Sequence, residues 1–506
     1  MIEQIKEKIL YLSDLVKKVR ELRSGGKVVV QSHGIFDIIH PGILKHLDDA
    51  KESGDILIVT VVKDKDVRKG PGRPVFPENY RLQNAASLQQ VDYVALVDDN
   101  VPFSCVKEIK PDIFARGQSY ARRDRKIHSR IFEEERELYF GKCRILETEG
   151  FSFSSSGIIN NFLHIYPEET KRYLKEFAGR YSFNRIMDAI NGLRDLKVLL
   201  IGDGIIDEYF YCESMGKSPK AQLIVHKYLS HEVFAGGVFA IANHVASICG
   251  KVHMVTMLGM EDSREDFVRG CLKPNVEAKF FYRDDGPTIV KRRYISNYQN
   301  HKIFEVNFIN DSYVDDFEII KYLKDIIDGY DLVLISDFGH GIITADMIGA
   351  LGGARKLAVN AQTNGANAGY NLITKYKNPG YICLDVSEAR LAAQDKFSAI
   401  DDVAKKLTAS IACRKLMITV GGDGSICVND NGEVVKTPAF ATKVVDIVGA
   451  GDAFFAYTAP CFARDMPTDM LSFIGNAAGA LAVQIMGNKK TVEKHELLEF
   501  MHTILK

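Results

Sequence analysis

The chain has 506 residues, with Lys+Arg 65 against Asp+Glu 66, so its near-zero net charge gives no global field to favour nucleic acid or an anionic membrane. That length exceeds what one hydrophobic core ordinarily serves, and two or three domains are expected. Nine cysteines, an odd count without a CxxC pair, argue against a disulfide frame or a zinc site. Residues 1–23 alternate charged and apolar side chains at helical spacing and lack the apolar run of a signal peptide. No segment approaches transmembrane length. The expectation is a cytoplasmic protein with small-molecule partners and neither nucleic acid nor membrane; a homo-oligomer stays open.

After the opening amphipathic helix, Gly25-Gly26 breaks the pattern and residues 27–31 read as a buried strand. The stretch His33-Gly34-Ile35-Phe36-Asp37-Ile38-Ile39-His40-Pro41-Gly42-Ile43 leads into a helix over 44–53, then a second apolar strand over 55–62. Strand–helix–strand at this spacing is a βαβ unit, whose ligands bind at the carboxyl ends of the strands. A histidine at a helix start with a glycine beside it suits phosphate, because imidazolium supplies charge and glycine supplies room. A plain helix cap is the competing reading. Ser154-Ser155-Ser156 by itself reads as an ordinary helix cap.

This third resembles the cytidylyltransferase-type nucleotidyltransferases. Their Gly-x-Phe-Asp and His-x-Gly-His signature is met by Gly34, Phe36, Asp37, His40 and Gly42, with Ile43 in place of the second histidine. The resemblance extends through Lys69-Gly70-Pro71-Gly72-Arg73 to Arg81 and later to the serine turn. It implies a Rossmann-like domain with His40 catalytic, and with Gly34, Phe36, Asp37, Gly42, Lys69, Ser154, Ser155 and Ser156 on nucleotide or phosphate. ATP and CTP both stay open as its nucleotide. Both family histidines contact the triphosphate, which an isoleucine cannot do.

Residues 165–195 are charged and helical in pattern, with no low-complexity linker. The expected division is a first domain over 1–165, a helical connector over 166–190 and a second domain over 191–506. In the second, residues 197–203 read as a buried strand ending in Gly202-Asp203, with Asp207 four residues on. Two carboxylates at a strand's end suit sugar hydroxyls, or a solvated turn. Gly236-Gly237 precedes a helix over 238–248 and lets a ligand pass close to the backbone. Thr288 to Arg293 alternates as a strand, placing Lys291 and Arg293 on one face, which suits a phosphorylated substrate or a solvated edge strand. Two further strands, 332–336 and 415–420, run into Gly-containing turns. Strands alternating with helices imply a doubly wound, mostly parallel sheet. Asp446-Ile447-Val448-Gly449-Ala450-Gly451-Asp452 then opens an apolar helix. Its glycines and first N–H groups suit an anion, and Asp452 could take a proton from an attacking hydroxyl; an ordinary loop before a core helix is the competing reading.

From residue 191 onward the chain resembles the ribokinase-like (PfkB-type) sugar kinases. The resemblance implies Asp452 as the base, Gly449, Ala450 and Gly451 as an anion hole, and Mg²⁺ bridging the phosphates of ATP. It also implies Thr419, Gly421, Gly424 and Asn476 on the nucleotide, and Asp203, Asp207, Gly236, Gly237, Lys291 and Arg293 on the sugar phosphate. No residue is assigned to a protein-held metal. Two positions depart from the family: Ala240 stands where a sugar-binding Asn is expected, and Asn360-Ala361-Gln362 replaces Asp-Pro-Lys. Both halves together resemble the bifunctional family of ADP-heptose synthesis, a heptose-7-phosphate kinase joined to a heptose-1-phosphate adenylyltransferase, in reversed order. Three alternatives stay open: a kinase whose first domain only binds nucleotide, a CTP-dependent polyol-phosphate cytidylyltransferase fused to a kinase, and a non-catalytic sugar-phosphate sensor.

Overall fold

A computed structural model of the chain describes residues 2–67, 70, 72–98, 103–117, 143–148, 159, 165–298, 301–310, 312–365 and 367–506. Lys69, Ser154, Ser155 and Ser156 lie outside the described residues. The chain forms two compact units, one of residues 1–168 with 498–506 and one of residues 169–497.

In the first unit, strands β1 (Val29–Gly34), β2 (Ile56–Val62), β3 (Tyr93–Val97), β4 (Ile113–Gly117) and β5 (Arg144–Thr148) pair in the order β3-β2-β1-β4-β5. Every pairing is parallel. Apolar runs such as Ile56–Val62 are buried on both faces, as a parallel sheet covered by helices requires. The opening helix is two helices, Ile2–Lys8 and Leu12–Ser24, interrupted where Ile9 bridges to Val94. The helix after β1 spans Pro41–Glu52, beginning earlier than its apolar pattern suggested because Pro41 occupies the first turn, where its missing N–H costs nothing.

The second unit contains a nine-stranded sheet in the order β10-β9-β6-β13-β14-β15-β16-β17-β18. Its strands are β6 (Lys197–Gly202), β9 (Lys251–Glu261), β10 (Val276–Pro287), β13 (Leu332–Asp337), β14 (Leu357–Ala361), β15 (Tyr381–Asp385), β16 (Lys415–Thr419), β17 (Ser425–Asn429) and β18 (Val434–Thr437). Pairing is parallel through β16 and antiparallel beyond it. A separate four-stranded sheet, in the order β12-β11-β7-β8, joins β7 (Gly204–Lys217), β8 (Ile224–Gly237), β11 (Ile289–Ser296) and β12 (Lys302–Phe308). Sequence pattern alone missed this second sheet, since β7 is buried through Tyr209 and exposed from Glu213 on and so has no single period. Helices Glu168–Arg180 and Phe183–Asn191 carry apolar stripes of Leu174, Phe177, Ile186 and Ile190, and Phe177 stacks on Phe473 at 4.2 Å.

Candidate functional site

In the first unit, His40 caps the helix Pro41–Glu52, its Nδ1 accepting the Gly42 N–H at 3.2 Å. Burial lowers its pKa. An accepting Nδ1 puts the neutral ring's proton on Nε2. His40 therefore offers one N–H donor at a helix N-terminus, not the imidazolium charge expected from sequence. Gly34 ends β1 beneath Phe36, whose ring would lie 3.3 Å from any Cβ there. Asp37 is bound by the chain itself: its carboxylate accepts the N–H groups of Val75 and Phe76 at 2.8 to 2.9 Å. That ties down the 73–77 loop, a structural task in place of the phosphate contact expected. Gly42 is buried, and Ile43 packs against the core of this unit.

The sequence reading reached Arg81 without giving it a role and did not single out His46. Arg81, fully buried, donates to the carbonyls of Ile35, Val62 and Phe76 and to Asp64 Oδ1 at 2.5 to 2.9 Å. His46 lies three residues after Ile43, but both its nitrogens are engaged, with Ser32 Oγ at 2.7 Å and Thr148 Oγ1 at 2.6 Å. Burial pushes its pKa down to about 4. His46 therefore does not supply the histidine that Ile43 replaces.

In the second unit a cleft of about 660 Å³ gathers most of the predicted residues of that half. The helix Ala450–Ala463 opens into it, with Gly449 at its N-cap in the left-handed region, φ 82°. A side chain at 449 would meet Asn488 Oδ1 at 2.4 Å. Ala450 turns its N–H back to the Ile447 carbonyl at 3.3 Å, whereas the space beside Gly451 is open. Asp452 stands in the first turn, nearly buried, and burial pushes its carboxyl up to about 6. Gln362 Nε2 donates to Asp452 Oδ1 at 2.7 Å. Thr419, Gly421, Gly424 and Asn476 line the same cleft, and Asn476 Nδ2 is held by Ser425 Oγ and the Ser472 carbonyl.

On the other side stand Asp207, Gly237, Lys291 and Arg293 from the four-stranded sheet. Arg293 is already paired, with Asp207 at 2.5 Å and Glu305 at 2.7 Å. Burial works against its charge, but these two carboxylates outweigh it and raise its pKa. Lys291 is different. Burial lowers its pKa against the pull of Asp207 and Glu305, and its Nζ lies 6.0 Å from the Phe338 ring centroid. A buried ammonium with no hydrogen-bonded carboxylate of its own, unlike Arg293, can partner an anion in the cleft.

Gly236 does not line the cleft but clears it, since a Cβ there would sit 2.0 Å from Asp207 Oδ2. Asp203 departs from expectation. Its carboxyl faces inward, accepting the N–H groups of Phe338 at 2.9 Å and His340 at 3.4 Å. Burial, with Asp337 nearby, pushes it up to about 7. It shapes the turn after β13 and is not set toward a sugar hydroxyl.

The sequence reading missed Asn488, whose Nδ2 donates to Asp207 Oδ2 at 3.0 Å. It also missed Glu388, in the cleft wall, pushed up to about 8 by burial and by Asp385. Asp446 binds Tyr209 Oη, Lys302 Nζ and Gly487 N–H, at 2.6 to 3.0 Å. Among the described residues no group of three or more His, Cys, Asp or Glu side chains could hold a metal ion. No helix among them is long and apolar enough to cross a membrane.

A Gly-capped helix N-terminus carrying a buried aspartate in its first turn, in a cleft at the carboxyl ends of parallel strands, is the arrangement of a phosphoryl-transfer site. Residues 195–494 match the pfkB family carbohydrate kinase model, more than half of the chain, and the protein belongs to that family. Residues 32–161 match the Cytidylyltransferase-like model. Both resemblances drawn from the motifs are thereby borne out, with the α/β fold class.

Among curated proteins, the chain is similar to the Bifunctional protein HldE of Shewanella amazonensis, 26% identical over 309 residues, 60% of this chain and 63% of that one. It is similar also to the Bifunctional protein HldE of Haemophilus influenzae, 25% identical over 314 residues, 61% and 64% of the two chains. The chain thus spans less than two thirds of the length of these relatives. Among solved structures, the tetrameric inhibited form of phosphofructokinase-2 from Escherichia coli matches 62% of this chain and 100% of its own, with 13% identity and a TM-score of 0.49. Ribokinase from Thermotoga maritima matches 61% and 99%, with 18% identity and a TM-score of 0.48.

Proposed function

We propose that the second unit phosphorylates a sugar phosphate with ATP, and that the first couples a sugar 1-phosphate to a nucleotide, releasing pyrophosphate. A heptose phosphate is the favoured sugar. The observation that carries the kinase reading is Asp452, buried at a Gly-capped helix N-terminus and facing a cleft that also holds Lys291. Asp452 takes the proton of the acceptor hydroxyl while that oxygen attacks the γ-phosphorus. The bond from the γ-phosphorus to the β,γ-bridging oxygen breaks, and ADP leaves. The N–H groups at Gly449 and Gly451 meet the charge that builds on the transferring phosphoryl group. Lys291 binds the phosphate already on the sugar. Mg²⁺ supplies further charge neutralisation, arriving on the nucleotide phosphates as that ion commonly does.

The test is ADP formation from ATP and heptose 7-phosphate by the full chain and by Asp452→Asn. Loss of roughly 10³-fold or more in kcat is expected for removing a general base on a weak nucleophile. Full phosphoryl transfer by the variant would sink the kinase reading.

A second reading of the first unit, binding nucleotide without transferring it, is favoured by Ile43, which packs against the core where the family uses a histidine. Pyrophosphate release from heptose 1-phosphate with ATP, CTP, GTP and UTP in turn separates the two. Release with one nucleotide supports transfer and names the base, whereas silence beside a live kinase leaves a binding module.

A further inference from the structure

The sequence departs from its family at Asn360-Ala361-Gln362, and the structure places two of those side chains behind Asp452. Starting at the backbone, Asn360 Nδ2 donates to the Cys383 carbonyl at 2.8 Å. A carbonyl only accepts, so this bond fixes which end of the Asn360 amide is nitrogen. The amide oxygen is left facing Gln362, whose Nε2 donates to Asn360 Oδ1 at 2.9 Å. The same Nε2 donates to Asp452 Oδ1 at 2.7 Å. Both amide protons of Gln362 are thus assigned, and neither is left for a sugar hydroxyl.

We infer that Gln362 is a positioning residue for Asp452, aiming one carboxylate oxygen at the acceptor hydroxyl by binding the other. The inference rests on Asp452 being the base. The relay has a direction. Its orientation is fixed from the Cys383 carbonyl outward, and Gln362 cannot turn its oxygen to Asp452 without facing it to Asn360 Oδ1 as well. An amide flip would therefore set oxygen against oxygen at two places. Oδ1 of Asp452 must consequently stay an acceptor, which leaves Oδ2 to receive the proton.

The relay also acts on the charge of Asp452. Burial raises its pKa, and the Gln362 donor opposes that rise. The other charged groups in the electrostatic surroundings of Asp452 are Asp207 on β7, Lys291 on β11 and Glu388 on the helix Val386–Ala393. Asp207 raises the Asp452 pKa and Lys291 lowers it, so Gln362 is the neutral member of the set. Its effect is a hydrogen bond to a charged acceptor, the stronger kind. Replacing it changes one bond without changing the net charge of the cleft.

Two substitutions give opposite signs. Gln362→Met keeps the length and removes the donor, so the anion loses a partner and the acid limb of the kcat profile moves up by about one pH unit. Gln362→Lys keeps a donor and adds a positive charge, so the limb moves down. In both variants kcat at pH 8 falls about tenfold, because the aim is altered, while the KM for ATP changes little.

Two readouts on the full chain follow these shifts: ADP formation from ATP and heptose 7-phosphate between pH 5 and 9, and titration of γ-¹³C-labelled aspartate. The resonance of Asp452 is assigned by its loss in Asp452→Asn, and its titration needs no substrate. Opposite displacements in Met and Lys support the inference. Equal titration in both variants, or an unchanged kcat, overturns it, because a packing role would move neither curve by sign. Should the Met variant fail to fold, Gln362→Leu, which removes the same donor without adding charge, takes its place in both readouts. An active Asp452→Asn enzyme would instead overturn the kinase reading on which the relay rests.

Discussion

Burial gives Asp452 both its chemistry and its cost. With its carboxyl pushed up to about 6, the base is mostly ionised at pH 7.5 and protonated below pH 6. The kcat for phosphoryl transfer is expected to fall as pH drops through about 6, measurable in a pH profile at saturating substrates. The stability effect has the opposite sign. A carboxyl whose folded pKa is raised favours the folded state in its neutral form, and that contribution is lost as pH rises from the unfolded value of 3.8 through about 6. At pH 8 the protein therefore carries a buried charge at a cost. Asp452→Asn, which keeps the acceptor for Gln362, is expected to raise stability by about 1–3 kcal/mol at pH 8 and by little at pH 4. Thermal melts at the two pH values check this. Gly236 is a second position where one atom decides. Ala there would place its Cβ 2.0 Å from Asp207 Oδ2 and displace that carboxylate from Arg293 and Asn488. The expected outcome for Gly236→Ala is a folded protein with at least tenfold lower kcat/KM for the sugar, seen in initial rates against sugar concentration.

At the scale of elements, the helix Pro41–Glu52 shows how one segment carries both scaffold and site. Its N-terminus holds His40 and its middle holds His46, which stitches β1 to β5 through Ser32 and Thr148. The His46 pKa is depressed by burial from 6.5 to about 4, so its contribution is whole above pH 6.5 and is lost as pH falls through about 4. That shift is worth up to about 3 kcal/mol at 1.36 kcal/mol per pH unit. Hydrogen exchange of the β1 and β5 amides is expected to speed up between pH 6.5 and 4 beyond its intrinsic pH dependence. His46→Gln should remove that excess. The four-stranded sheet makes the parallel case in the second unit. Its strands β7 and β11 bring Asp207, Lys291 and Arg293 to the cleft as neighbours, Lys291 pairing in register with Asp207.

At the scale of the whole molecule, the proposed activities fall in separate compact units. Asp452→Asn is accordingly expected to leave any pyrophosphate release from sugar 1-phosphate intact, and His40→Ala to leave ADP formation by the kinase intact. A crossed loss in either variant, measured with both assays on one preparation, would overturn that independence. The first unit is also discontinuous in sequence, since residues 498–506 belong with 1–168. A phenyl ring from Phe500 lies 3.1 Å from where a Cβ on Gly70 would be. Truncation after residue 497 is expected to lower the unfolding temperature of the first unit, read by hydrogen exchange at its β-strand amides.

Local pattern was enough for much of this. Gly-rich turns after apolar strands, the run from Asp446 to Asp452 and the strand bearing Lys291 and Arg293 are each written within a dozen residues, because turns, caps and strand faces are set by near neighbours. The structure brings Asp207, Gly237, Lys291, Arg293, Thr419, Gly421, Gly424, Gly449, Ala450, Gly451, Asp452 and Asn476 to one cleft, as ordered motifs on one sheet suggested. What tertiary structure alone decided is which partner each polar group takes and which way it faces. Asp203 and Asp207 look alike in sequence, yet one is turned inward to backbone N–H groups and the other faces the cleft. Arg293 and Lys291 look equivalent, yet two carboxylates claim the arginine. Gln362 meets Asp452 across 90 residues of chain, and Asn488 meets Asp207 across 281. Such contacts depend on how separate strands and loops converge, and a buried polar group takes whatever partner that convergence supplies.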